Sequence, residues 1–288
     1  MAELTRRDFL TGLAAAGALA VAAPRSWAEE KPGKKRKGSD VVKLGRTGVQ
    51  TSLLGIGTGT VSGSQQRAMG YDGFTRLVRH ALDRGIRYID TADSYKTHPF
   101  VQKALAGVPR ERYFLQTKSF SREADAVKRD LERFLHELSV PYVDTFLMHC
   151  MTEGDWPKKL EPVMKALSEA KRQGKVRAVG ISCHGWAPME ASIDVDWIDV
   201  QLARINPFGA VMDAEPEKVS AMLKKVHDKG RGILGMKIYG ETGFGSRQKR
   251  LESLKYVLGL GSVDAFTIGF RSIAEFDETM DLIEEATA

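Results

Sequence analysis

The chain has 288 residues, a formal net charge of +6, 42% hydrophobic and 28% charged residues, which excludes disordered, collagenous and low-complexity classes. Only two cysteines occur, Cys150 and Cys183, so neither a disulfide framework nor a zinc-type spacing is present. Five positive charges, Lys31, Lys34, Lys35, Arg36 and Lys37, fall in the one stretch KPGKKRKGSD, so the basic balance marks a local run and not a nucleic-acid-binding face.

In chain order the first feature is a leader over residues 1–28. Arg6 and Arg7 precede an apolar run, Leu10 to Ala23, too short to span a bilayer comfortably. Ser26 and Ala28 place small residues at the −3 and −1 positions of a cleavage site. The hexapeptide TRRDFL resembles the twin-arginine export motif. That resemblance implies the twin-arginine machinery as a partner, export of a folded and cofactor-loaded protein, and a periplasmic or other extracytoplasmic bacterial location. The other reading of this segment is an uncleaved anchor. Residues 29–40 follow as a basic, solvated linker, and 41–288 as one domain. No later apolar stretch approaches ~20 residues, so no stable membrane span is expected after cleavage.

From Val42 onward, short runs rich in Val, Ile, Leu and Phe alternate with segments whose apolar residues recur at three and four. Eight strands are expected, at LLGIGT, YIDTA, YFLQTKS, DTFLMHC, VRAVGIS, IDVQL, GILGMK and AFTIGF. Helices are expected between them, including residues 73–84, 123–138, 160–173 and 217–228. Val127, Leu131, Phe134, Leu135 and Leu138 share one face of the second of these. The polar tips Asp90, Lys118, His149 and Ser182 are 28, 31 and 33 residues apart, the interval of a strand-helix repeat. The fold class is therefore α/β, a (β/α)8 TIM barrel with its active site at the strands' C-terminal ends. A doubly wound sheet would want Gly-x-Gly-x-x-Gly after the first strand, and GIGTGTVSGS has glycines two apart at Gly55, Gly57 and Gly59.

Polar groups that end buried strands have no structural use there unless paired. IDTADSY supplies Asp90 and Tyr95, QTKSF supplies Lys118, and LMHC supplies His149. In a closed barrel these converge on one mouth. Asp90 can pair with Lys118, the ammonium can lower the phenol of Tyr95, and the imidazole can orient a substrate oxygen. Each alone also has a plain structural account: an ion pair, a wall aromatic, a satisfied core histidine.

The chain from about Val42 to its end resembles the aldo-keto reductases. RGIRYIDTADSY is similar to that family's second-strand signature, LERFLHELSVPYVDTFLMH to its fourth, and AKRQGKVRAVGIS to the approach to its fifth. The resemblance implies that Asp90, Tyr95, Lys118 and His149 are catalytic, with Tyr95 the general acid in hydride reduction of an aldehyde or ketone. It also implies cofactor contacts: Gly57 and Thr58 in the GTGT turn, Asp90, Ser182 and Gln201 at the nicotinamide, and Met236 and Lys237 near the seventh strand.

Departures matter here. Ser182-Cys183-His184 stands where many members have Ser-Asn, and Met236 where many have a stacking aromatic. Glu275 suits a free ribose hydroxyl and NAD(H), whereas Arg271 suits the phosphate of NADP(H); the balance leans to NADP(H). Cys150 and Cys183 follow adjacent strand tips, either filling space or forming a redox pair. The chain stops at Ala288 directly after the last expected helix, so an open mouth taking small carbonyl substrates is expected. Two other classes compete: a dinucleotide-binding redox sensor or partner-docking module with vestigial catalysis, and a lyase or isomerase using GETGFGS for a sugar phosphate.

Overall fold

A computed structural model describes residues 35–288; the expected leader over 1–28 and residues 29–34 of the expected linker lie outside the described residues. Residues 35–40, read as the end of a solvated linker, instead lie against the barrel. Lys35 pairs with Glu284 at 3.0 Å, the Arg36 amide donates to Thr287 Oγ1 at 2.8 Å, and the Leu54 amide donates to the Gly38 carbonyl at 2.9 Å. Gly38 is so tightly seated that an added Cβ would lie 2.6 Å from Met280 Sδ. The segment's backbone finds its partners on the final helix and the first barrel strand, which the run of lysines does not disclose.

An antiparallel hairpin, β1 (Val41–Lys43) and β2 (Gln50–Ser52), leads into the barrel. Its strands are β3 (Leu54–Gly57), β4 (Tyr88–Asp90), β5 (Phe114–Ser119), β6 (Val143–Met151), β7 (Val176–Cys183), β8 (Val200–Arg204), β9 (Gly232–Met236) and β10 (Ala265–Ile268). They pair in parallel, each with the next, and β10 closes on β3. These are the eight strands expected from the sequence.

Helices alternate with the strands because each apolar stripe needs the barrel's outer face to bury it. Helix Ala124–Leu138 turns Val127, Leu131, Phe134, Leu135 and Leu138 inward, as its spacing predicts. Helices Gly70–Asp83, Glu161–Arg172 and Pro216–Asp228 match the other expected segments to within a few residues. Among the described residues no helix is long and apolar enough to cross a membrane.

Strand alternation sorts the core into two layers. Tyr88, Phe114, Leu147, Ala178, Val200, Leu202, Leu234 and Ala265 fill the barrel interior, and Leu44 and Val49 of the hairpin connection plug its N-terminal end. Ile56, Ile89, Phe146, Ile181, Ala203, Ile233 and Phe266 face the helices. Two interior positions require glycine. A Cβ at Gly55 would sit 2.4 Å from the Tyr88 ring, and one at Gly180 only 1.8 Å from the Val200 carbonyl.

Candidate active site

The plugged lower half leaves the C-terminal rim for chemistry. β4 ends at Asp90, and the chain then makes a tight turn over Asp93–Tyr95 that folds Tyr95 back over the rim. Lys118 is the fifth residue of β5 and is fully buried. β6 carries a bulge: its register with β7 shifts between Met148 and Met151, and Cys150 adopts a left-handed φ of 58°. A bulge re-aims the side chains around it, here His149. The distortion is held by three hydrogen bonds. Cys150 N donates to Ser182 Oγ at 3.0 Å, and Arg122 Nη2 donates to the carbonyls of His149 and Cys150 at 2.6 and 3.1 Å.

The four expected catalytic side chains meet. Lys118 Nζ lies 2.5 Å from Asp90 Oδ1 and also donates to the Thr91 carbonyl at 2.9 Å. It approaches Tyr95 Oη at 3.5 Å, and the Tyr95 and His149 rings stand edge to face with centroids 5.6 Å apart. Asp90 accepts a further bond from Gln116 Nε2 at 2.7 Å, and Gln116 is fixed in turn by Thr145 at 2.9 Å. Tyr95 is clamped from behind by Arg67, which donates to its carbonyl. Gly59 lets the loop after β3 lie on the ring, since a Cβ there would be 2.5 Å from Tyr95 Cζ.

Burial dominates the proton affinities. The Tyr95 phenol is raised well above its ordinary value by burial and then by the Asp90 charge. The expected lowering by the ammonium is outweighed: burial and Asp90 decide the direction, Lys118 is itself made less basic by burial, and its closest contact is Asp90 rather than the phenol. Burial, with Lys118 next, pushes the His149 imidazole down to about 2, so the ring is neutral. His149 Nδ1 is buried without a hydrogen-bond partner among the described residues.

A cleft of about 760 Å³ runs from Asp90, Tyr95 and His149 across the loop at 236–245 to residues 267–279. Of the residues that the resemblance marks for the cofactor, Gly57, Asp90, Met236, Lys237, Arg271 and Glu275 line it. Thr58, Ser182 and Gln201 do not. Thr58 Oγ1 joins a buried hydroxyl chain with Thr97, 2.8 Å away, and Ser182 Oγ is taken by the β6 bulge. Gln201 sits on the outward phase of β8, between inward-facing Val200 and Leu202, and accepts from Arg231 at 2.8 Å. Arg271 and Glu275, read as opposed signals, bind each other through Arg271 Nε at 2.7 Å. Cys150 and Cys183 are both free thiols, with burial raising each.

The cleft also exposes residues the sequence did not single out: Phe120, Arg204, Glu241 and Arg250, with His184 beside them. Phe120 packs 4.4 Å from the His149 ring, and His184 stands 6.3 Å from it. Glu241 pairs with Lys237 and accepts the Val61 amide at 2.9 Å, tying the loop after β9 to the loop after β3. The wall carries Arg204, Lys237, Arg250 and Arg271, paired with Asp213, Glu241, Glu278 and Glu275 respectively, along a channel with glycines at Gly57, Gly243, Gly245 and Gly269. Such a donor set suits a long phosphate-bearing ligand such as a dinucleotide.

Comparison with known proteins shows the family. The model of the Aldo/keto reductase family matches residues 53–282. The chain is 30% identical over 202 residues to the glyoxal reductase of Bacillus subtilis, covering 67% of this chain and 64% of that protein. It is 35% identical over 138 residues to the methylglyoxal reductase DkgB of Salmonella typhi, covering 46% of this chain and 51% of the relative, so the match spans about half that relative's length. Among solved structures, an aldo-keto reductase of Bacillus halodurans in its holo form superposes with TM-score 0.68 at 18% identity, over 85% of this chain and 91% of the other. The glycerol dehydrogenase of Gluconobacter oxydans does so with TM-score 0.65 at 17% identity, over 86% and 94%. Eight closed parallel strands, a buried lysine-aspartate pair beside a rim tyrosine and histidine, and a family match over most of its length make this chain a member of the aldo/keto reductase family.

Proposed function

We propose that the protein is an NAD(P)H-dependent reductase of small aldehydes or ketones, with NADP(H) the first candidate. The observation that carries this reading is the meeting of Tyr95, Lys118, Asp90 and His149 at one end of the elongated cleft. Relatives named glyoxal and methylglyoxal reductases support the substrate class. Gly57, Met236, Lys237, Arg250 and Arg271 would hold the dinucleotide, whose nicotinamide would supply hydride for the carbonyl carbon.

The chain's own part is the proton. Tyr95 Oη stays protonated through neutral pH, so it is always armed to donate as charge grows on the substrate oxygen. An alkoxide is a stronger base than any phenolate, so even a raised phenol gives its proton up. Lys118, held by Asp90, faces the phenolate left behind and steadies it. Neutral His149 can donate one hydrogen bond to the same oxygen without competing as the acid.

The test is direct: titrate NADPH and NADH by fluorescence, then follow reduction of benzaldehyde by wild type and by Tyr95→Phe. Loss of about 10²–10⁴-fold in kcat with cofactor affinity retained is expected. Turnover undiminished in Tyr95→Phe sinks the mechanism. One second reading, a dinucleotide-binding redox sensor with vestigial catalysis, draws on the position of Ser182 and Gln201 outside the cleft lining, which leaves the reactive end of the site with fewer polar contacts than the resemblance implies. Binding without turnover in wild type would select it. Export through the twin-arginine route belongs to the proposal too, and cell fractionation of the full chain against an Arg6→Lys, Arg7→Lys variant tests it.

A further inference from the structure

Arg204 is a charged side chain that the mechanism above does not use. It closes β8 on the inward phase shared with Val200 and Leu202, so it points at the mouth. Its guanidinium grips Asp213 with two nitrogens, Nη2 and Nε, the latter at 3.2 Å. The Asp213 side chain is fully buried and is fixed again by the Gly185 amide at 2.6 Å. The third nitrogen, Nη1, has no hydrogen-bond partner among the described residues, and Arg204 lines the cleft with Tyr95, His149 and His184.

Asp213 thus presets the guanidinium and leaves one edge for a ligand, at little further cost in side-chain entropy. The surroundings fit an anion with an apolar body. Half-exposed Phe120 and Val211 flank the same mouth. The nearby carboxylate Glu241 is neutralised by its own Lys237, and His184 is kept uncharged by burial and by Arg204.

We infer that Arg204 is a specificity-determining residue that takes a carboxylate on the carbonyl substrate, so that the preferred class is aldehyde or keto acids with an apolar or aromatic body. Asp213 acts through it as a positioning residue. The inference rests on the reductase reading of the site.

Removing the guanidinium alone strands a buried carboxylate and endangers the fold. Arg204→Lys and the double variant Arg204→Met, Asp213→Asn are therefore compared with wild type. The ratio of kcat/KM for 4-carboxybenzaldehyde over benzaldehyde should fall by at least about tenfold in both, carried by KM, as loss of a charge-assisted bond implies. Calorimetric binding of benzoate should weaken alongside. An unchanged ratio, or no benzoate binding to wild type, overturns the inference. Wild type that binds benzoate in an Arg204-dependent way yet reduces neither aldehyde upholds the anion site while sinking the reductase reading.

Discussion

At the scale of single residues, the site works by desolvation. Lys118 and Asp90 are held 2.5 Å apart with almost no water, and the same dryness keeps Tyr95 protonated and His149 neutral. Both shifts give the pH dependence a sign. The acid form of Tyr95 persists above its usual value near 10 and His149 gains no charge until far below 6.5, so carbonyl reduction should stay flat from about pH 5 to 9. Alcohol oxidation needs the phenolate, and so should climb through about pH 9 and beyond. A kcat/KM profile with an inflection near 6.5 would assign control to an exposed imidazole and contradict this picture.

At the scale of elements, the loop after β3 sets Tyr95 in place. Gly59 lies against the phenol, so Gly59→Ala must push the ring or the loop aside. A displacement near 1 Å costs up to ~10²-fold, so we expect kcat to fall by about 10–100-fold with thermal stability nearly unchanged. A variant as active as wild type would show that the contact is slack. Strands and their polar tips were legible because a run buried on both faces is continuous in sequence and stops at its first charge. Asp90, Lys118 and His149 were readable in this way. Thr58 and Gln201 fall outside the cleft because adjacency to a tip says nothing about phase, and one residue of phase turns a side chain from the mouth to the helices; Ser182 keeps the inward phase of Ala178, but its hydroxyl oxygen accepts from the Cys150 amide. Arg204 carried the needed signal, its even spacing from Val200 and Leu202, but its partner Asp213 comes from a loop that no periodicity predicts.

At the scale of the whole molecule, the described chain begins working before its first strand. The contacts of Arg36 and Gly38 with Thr287, Leu54 and Met280 link its start to its last helix. A chain begun at residue 41 should therefore melt several degrees below one begun at residue 29, for a loss of about 1–3 kcal/mol. Equal melting temperatures by calorimetry would mean that these contacts are ornamental. The opposite end of the barrel carries a different consequence. Because Leu44 and Val49 cork its floor, reactants come and go by the rim alone, and two molecules sharing one doorway must queue. Of two ligands bound there at once, whichever lies deeper has to enter first and leave last.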